Sequence, residues 1–449
     1  MSKSMPPSGK PTKESGLASF ERKQLPQFIR HTRLIPALWL DLLNDRSAHP
    51  ALPPPHPPLS SGAVLTAALK LGLTSFGGPI AHLGYFERTY VRERRWLNAQ
   101  EYAGLVALCQ FLPGPTSSQV GVLIGLRAAG WRGAVAAWVG FTFPSALLMF
   151  GFGLLLPRSH SALMQAGLHG LMLAAVSIVA QAVWNMARSL CPDRNRAAIG
   201  LLAAAALLFE GGGLVQLIVL GLGAVGGVLL CRELPAPSRQ DFPKTGARLA
   251  WVLLAIFAAL LIALPVAARL FSNELLSLTN IFYRAGALVF GGGHVVLPLL
   301  HEALVPQGAV PEEMFLAGYG FAQAMPGPLF SFAAFLGAAS AGDHEPLIGA
   351  TFALAAIFLP GILLAVSAYS MWTRIASVGW ARSALAGTNA AVVGLLGAAL
   401  YNPVWTNAVR DTIDVVAVVL GGLLLMHWRT PPIIVVGLLV ALSIGRRLF

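Results

Sequence analysis

Charge is scarce in this chain. Of its 449 residues only 11% are Asp, Glu, Lys or Arg, against about 25% in an ordinary soluble domain. Carboxylates are the scarcest: 19 Asp and Glu stand against 31 Lys and Arg, giving a net charge of +12. With 56% hydrophobic residues and a mean hydropathy of +0.68, this excludes a soluble enzyme and a disordered protein. Cysteine is nearly absent. Cys109, Cys191 and Cys231 are isolated, so there is no CxxC, no zinc spacing and no disulfide framework. No GxxxxGK[ST] occurs, which removes an ATP-driven pump, and no HExxH or GxSxG occurs either. The chain has no βαβ unit and no haem or iron–sulfur ligand set, so no cofactor and no enzymatic activity are expected. Residues 1–34 lack the apolar core of a signal peptide. No basic stripe interleaves with aromatics, so nucleic acid is not an expected partner, and the excess of Lys and Arg is assigned to cytoplasmic loops.

Glycine and proline are plentiful instead, 47 and 31 of them, scattered through apolar sequence. That is the composition of broken helices in a lipid bilayer. Residues 1–59, basic and rich in Pro, are expected to form a cytoplasmic tail, with a short amphipathic patch at Leu34–Leu43. From Ser60 the chain becomes apolar. Several stretches, such as 100–112, 115–130, 314–325 and 328–341, are shorter than the ~20 residues of a full span. Short pieces interrupted by Gly and Pro read as half-helices and re-entrant hairpins.

An internal repeat organises these pieces. Phe76-Gly77-Gly78-Pro79 recurs as Phe290-Gly291-Gly292-Gly293, at an offset of 214. Gln110-Phe111-Leu112-Pro113-Gly114-Pro115 recurs as Gln323-Ala324-Met325-Pro326-Gly327-Pro328, at 213, and Phe143-Pro144 as Leu359-Pro360, at 216. Three blocks in one order at nearly constant offset define two homologous halves, 60–231 and 281–449, joined by a basic linker and a helix within 232–280. Equivalent loops carry opposite charge. Loop 85–98 holds Arg88, Arg92, Arg94 and Arg95, whereas 301–313 holds Glu302, Glu312 and Glu313. Such loops belong on opposite sides of the membrane. The fold class expected is therefore an all-α polytopic membrane protein whose two halves are inverted repeats with broken, re-entrant helices. In this topology Arg446 and Arg447 fall on the outer side, against the charge bias.

The breaks supply candidate site residues. Pro113 and Pro115 around Gly114 end one helix and start another. Thr116 and Ser117 follow, and a helix start offers unpaired N–H donors and about half a positive charge to an anion. Pro326, Gly327 and Pro328 repeat the arrangement with fewer hydroxyls. Gly77, Gly78 and Pro79, with Ser75 before them, form a second break, matched by Gly291 and Gly292. Gln110 and Gln323 each lie three residues before a Pro-Gly-Pro, and His82 and His294 flank the glycine breaks. Lys70 lies in an apolar stretch, where pairing with an anion and snorkelling to the cytoplasmic interface are equal readings. Arg88 and Arg92 are placed to draw anions to the inner mouth. Membrane carboxylates are few, with Asp414 near a helix start, so a buried carboxylate proton relay is not expected.

At Leu73 to Phe86, at Gln110 to Pro115, and at the second copies Phe290 to His294 and Gln323 to Pro328, the sequence resembles the chromate ion transporter family in its long, two-domain form. The resemblance covers about residues 60–445. It implies export of chromate across a bacterial inner membrane and chromate resistance, with the motif positions above carrying the site. Gly293 stands where the first copy has Pro79, a departure from symmetry. Sulfate, also a tetrahedral dianion, is the natural competitor, and a sulfate or other oxyanion carrier is the alternative reading. The expected partners are chromate, with sulfate as its competitor, the lipid bilayer and a second copy in a homodimer.

Overall fold

The computed structural model describes residues 59–156, 161–210, 212–231, 247–271, 273–290, 293–342, 344–375 and 378–448. The expected tail and its amphipathic patch, most of the basic linker, and Gly291 and Gly292 lie outside them. The described residues form helices and connections with no strand.

The first half runs α1 (Ser61–Thr74), α2 (Gly78–Phe86), α3 (Ala99–Phe111), α4 (Thr116–Leu155), α5 (Ala162–Leu190), α6 (Arg194–Phe209) and α7 (Gly213–Leu230). A connecting helix, α8 (Ala247–Phe271), follows. The second half runs α9 (Glu274–Leu288), α10 (Val296–Leu304), α11 (Glu312–Ala324), α12 (Phe332–Ala339), α13 (Pro346–Ile375), α14 (Gly379–Ala399), α15 (Thr412–Met426) and α16 (Pro432–Leu448). The halves match element for element once α4 is divided. Its backbone breaks at Ala129 and Gly130, where the second half separates α12 from α13 by a turn at Gly342. The second repeat begins earlier than the sequence blocks indicated: α9 already starts at Glu274, seven residues before 281, because its first two turns hold no motif.

Among the described residues six helices are long and apolar enough to cross a membrane, Thr116–Leu155, Ala162–Leu190, Gly213–Leu230, Arg248–Phe271, Pro346–Met371 and Gly379–Ala408. Their outer faces carry exposed large apolar side chains such as Phe143, Leu147, Leu222 and Ile262. The chain is a multi-pass membrane protein.

The halves interlock. Helix α5 of the first half packs against α15 and α16 of the second, while α14 of the second packs against α6 and α7 of the first. Polar side chains tie these exchanges together. Ser177 Oγ donates to the Val418 carbonyl at 3.1 Å and Gln181 Nε2 to the Leu425 carbonyl at 3.0 Å. In the mirrored exchange Ser383 Oγ donates to the Cys231 carbonyl at 2.6 Å. Gly227 and Gly387 meet backbone to backbone, so a methyl group at either would strike the opposite main chain. The main apolar core lies between α4, α5 and the second half, and includes Tyr283, Phe315, Tyr319, Phe330 and Phe335.

Candidate functional site

Each half contains two interruptions, built alike. Helix α1 ends at Thr74 and Ser75 is extended (φ −88, ψ 97); α9 ends at Leu288 and Val289 is extended (φ −76, ψ 105). Beyond Ser75, Gly77 (φ 98) and Gly78 (φ 77) take left-handed conformations that admit glycine readily. At the Pro-Gly-Pro turns Gly114 has φ 117 and Gly327 φ 96. The helices that follow begin one residue later than the sequence suggested. Pro115 and Pro328 occupy the cap positions, and Thr116 and Leu329 are the first helical residues.

Proline has no N–H, so the central glycine is the single backbone donor of each triplet. Both donors cross to the other half. Gly114 N–H donates to the Val289 carbonyl at 2.7 Å, and Gly327 N–H to the Ser75 carbonyl at 3.0 Å. Glycine and carbonyl are repeat equivalents in both bonds, so the bonds are related by the pseudo-two-fold of the repeat. The first glycine pair meets as well: a Cβ on Gly293 would lie 3.6 Å from Pro79 Cγ. The prolines of the third sequence block complete the crossing. Gly361, after Pro360, lies against Gly114 and Pro115, and Ser145, after Pro144, lies against Gly327. Four helix breaks from two halves thus converge.

The lining is polar and short of partners. Ser75 Oγ, Ser118 Oγ, Thr142 Oγ1 and Gln119 Oε1 are buried and have no hydrogen-bond partner among the described residues. Gln119 Nε2 donates to the Pro113 carbonyl at 2.8 Å and to the Gly361 carbonyl at 3.0 Å, spanning both halves. His82 Nδ1 lies 3.3 Å from Ser117 Oγ. None of the helices starting at the breaks carries a side-chain cap on its first N–H groups. By contrast Ser60, Asn98, Ser161, Asp193, Asn273 and Asp411 cap six other helix starts. No Asp or Glu occurs in the break segments. The hydroxyls of Ser75, Ser118 and Thr142 can donate, and donors without acids suit an anion. Among the described residues no cluster of His, Cys, Asp and Glu could hold a metal ion.

The model of the family described as "Chromate transporter" matches residues 62–228 and 276–445, one copy per half. The chain belongs to the chromate transporter family. It is 28% identical to a "Chromate transport protein" of Pseudomonas aeruginosa over 86% of this chain and 92% of that one. A protein of the same name from Cupriavidus metallidurans is 29% identical over 82% and 89%. A "Probable chromate transport protein" of Synechococcus elongatus is 31% identical over 69% and 76%. No solved structure matches the chain.

Within this transporter the expected residues divide. Ser75, Pro113, Gly114, Pro115, Ser117, Pro326, Gly327 and Pro328 are at or beside the crossing, with Gly77, Gly78, Pro79, His82 and Thr116 next to it. The two Gln are not equivalent: Gln110 is exposed, while Gln323 is half-buried with its Nε2 3.4 Å from His294 Nδ1. His294 Nδ1 also meets Tyr319 Oη at 2.8 Å. Lys70 is not brought in. It stands on the exposed side of α1, opposite Val64, Ala67 and Leu71, and its repeat equivalent Arg284 is exposed as well, the placement of snorkelling cations. Arg88 and Arg92 are not free to draw anions, since they pair with Glu93 at 2.9 Å and Glu87 at 2.8 Å.

Two features were missed. Gln119 is a polar residue inside an apolar stretch, six residues past Pro113, and that position was its signal. The other is a buried carboxylate. Asp414 is 1% exposed and meets His169 Nε2 at 3.1 Å, Arg446 Nη1 at 3.0 Å and the Arg410 N–H at 2.9 Å. Arg446 also pairs with Asp411 at 2.7 Å, and that hydrogen bond holds the Asp411 carboxyl below the usual carboxylate range.

Proposed function

We propose that this chain is a secondary transporter that exports chromate from the cytoplasm across the bacterial inner membrane and so confers chromate resistance. The reading rests on one observation above the rest. The reciprocal bonds Gly114 to Val289 and Gly327 to Ser75 gather the broken helix ends of both halves around buried, unpartnered polar groups. Unwound backbone at membrane depth is tolerated where it lines a cavity or is buried in protein, and repeat interfaces are where carriers place their substrate. The relatives named for chromate transport supply the anion, and the donors without acids at the crossing suit it.

Energetics favour export. A dianion leaving a cell with a negative interior gains about 2.3 kcal/mol per charge at 100 mV, roughly 4.6 kcal/mol in all. That sustains a gradient of about 2000-fold with no coupled ion. The two halves rock about the crossing to expose it to either side in turn.

The test is accumulation of labelled chromate in everted inner-membrane vesicles, with and without excess sulfate and with the potential collapsed. Potential-dependent accumulation that sulfate inhibits is the expected result. No accumulation in vesicles that contain the protein would remove the chromate assignment. Accumulation of sulfate with chromate as a weak competitor would make this an oxyanion carrier in which chromate is incidental.

A further inference from the structure

The crossing is not the only place suited to an anion. A cavity of about 700 Å³ lies between the C-terminal end of α5, the connection from α15 to α16, and the first glycine break. Phe76 and Gly77 line it on the side of the break; Gln181, Asn185 and Arg188 line it from α5, and Arg429 from the connection. Among the described residues that line it there is no acidic side chain. Neither arginine enters an ion pair among the described residues, and the Arg188 guanidinium lies over the Trp184 ring at 5.6 Å instead. This contrasts with Arg88 and Arg92, each neutralised by a glutamate.

The backbone at Arg429 points the same way. It follows the end of α15 with φ 53, the left-handed position that glycine ordinarily fills after a helix, and two prolines come directly after Thr430. An arginine there keeps a guanidinium at the cavity against the conformational preference of the position. The side of the membrane is fixed by the neighbours. Tyr85 also lines the cavity, and it opens the loop holding Arg88, Arg92, Arg94 and Arg95. Loops that rich in arginine are cytoplasmic.

We propose that this cavity is a cytoplasmic admission site, in which Arg188 and Arg429 capture the free tetrahedral oxyanion before it reaches the crossing at Gly77. The proposal rests on the carrier reading above. Two cations without acids concentrate a dianion at the mouth and raise its rate of entry, so they act on apparent affinity rather than on turnover.

Two measurements test it. In everted vesicles, where the cytoplasmic face is outward, Arg188→Gln with Arg429→Gln should raise KM for chromate roughly tenfold and leave kcat nearly unchanged. Arg188→Lys with Arg429→Lys should keep KM close to that of the unaltered protein, which a purely structural role of the arginines would not produce. An unchanged KM in the glutamine variant overturns the proposal. Absent chromate flux in the unaltered protein instead strikes the carrier reading, and the second measurement does not depend on flux. With Cys191→Ser to remove the half-exposed native thiol, Asn185→Cys should react in everted vesicles faster with an anionic than with a cationic methanethiosulfonate. Sulfate, a tetrahedral dianion that does not oxidise thiols as chromate does, should slow that reaction in proteoliposomes of purely zwitterionic lipid. Equal reactivity of the two reagents overturns the proposal. So does protection given by anionic lipid but not by sulfate, since the cavity would then hold a lipid headgroup.

Discussion

The two halves build one backbone and furnish it differently. At the crossing the paired bonds from Gly114 and Gly327 have equivalent partners and nearly equal lengths, 2.7 and 3.0 Å. Beyond each triplet the side chains diverge. The first half continues Thr116, Ser117, Ser118, Gln119, and the second continues Leu329, Phe330, Ser331, Phe332. Ser331 Oγ is occupied by the Pro328 carbonyl at 2.7 Å, whereas Ser118 Oγ has no protein partner. The second half instead places Tyr319 and Gln323 around His294. Duplication thus fixed the architecture of the site, and the chemistry specialised within it. Backbone geometry is shared because both halves need the other's carbonyl. The side chains are under no such reciprocal constraint, since neither cross-half bond involves one.

The most severe way to break the comparison is at the glycines. A Cβ on Gly114 would lie 2.8 Å from Gln119 Nε2 and 2.9 Å from Gly361 Cα; on Gly327 it would lie 2.8 Å from Ser145 Oγ and 3.2 Å from the Phe141 carbonyl. The left-handed conformation alone costs a non-glycine residue about 1–2 kcal/mol. Gly114→Ala and Gly327→Ala should each abolish chromate accumulation in everted vesicles. Gly114→Ala should be the worse for stability, because the Cα of Gly361 cannot rotate aside as the Ser145 hydroxyl can. Accumulation at the unaltered rate by either variant, at equal protein level, would take the crossing off the transport path.

A second comparison lies at the far ends of the exchanged helices. In the first half the helix start at α6 carries Asp193 and Arg196, an ion pair of 2.6 Å with Asp193 about half exposed. In the second, the start of α15 carries Asp411 and, in place of the arginine, Asp414, buried between His169 and Arg446. Breaking a buried pair by removing one partner costs about 3–5 kcal/mol, a surface pair about 1 or less. Asp414→Asn should therefore lower the unfolding free energy in detergent by about 3 kcal/mol, and Arg196→Ala by about 1 at most. Equal losses would mean that α15 and α16 are not held by this network. The pH dependence has a definite sign. The Arg446 hydrogen bond depresses the Asp411 carboxyl, so its stabilisation is complete above the unfolded value of about 4 and is lost as the pH falls through the folded value. Acid should thus destabilise the unaltered protein more than Asp411→Asn.

The helical membrane class, the two copies and the central place of the Pro-Gly-Pro turns were legible because each rests on local chemistry. Proline and glycine announce breaks wherever they stand, and the offset of 213 to 216 announces the repeat. What pairs with what was not legible. The carbonyls of Ser75 and Val289 are backbone atoms, invisible in residue identity, and become acceptors only when the halves interlock. Lys70 shows where residue type alone leaves two readings open, anion ligand or snorkelling cation. A cation in an apolar stretch suggests a ligand, yet the apolar face of α1 is formed by Val64, Ala67 and Leu71, which turns Lys70 outward. Asp414 stands 32 residues from Arg446 and 245 from His169, so no spacing rule joins the three.

The comparison is sharpened most finely at Gln119. Its amide N–H groups hold the Pro113 carbonyl of one half and the Gly361 carbonyl of the other, and the equivalent position in the second half is Phe332. Gln119→Leu preserves much of the volume and removes the amide donor from the Pro113 carbonyl and from the cross-half bond to Gly361, an expected loss of about 1–3 kcal/mol. Gln119→Glu keeps the shape, removes the donors and adds a negative charge beside the uncapped start of α4. If Gln119 only braces the turn, both variants should lose stability and transport together. If Gln119 borders the anion site, the glutamate should cost far more transport than the leucine at equal stability, because a carboxylate repels a dianion. Chromate uptake measured beside thermal unfolding for the two variants separates these outcomes. A glutamate variant that transports as well as the leucine one would place the anion away from Gln119, toward Ser75, Thr142 and the second half.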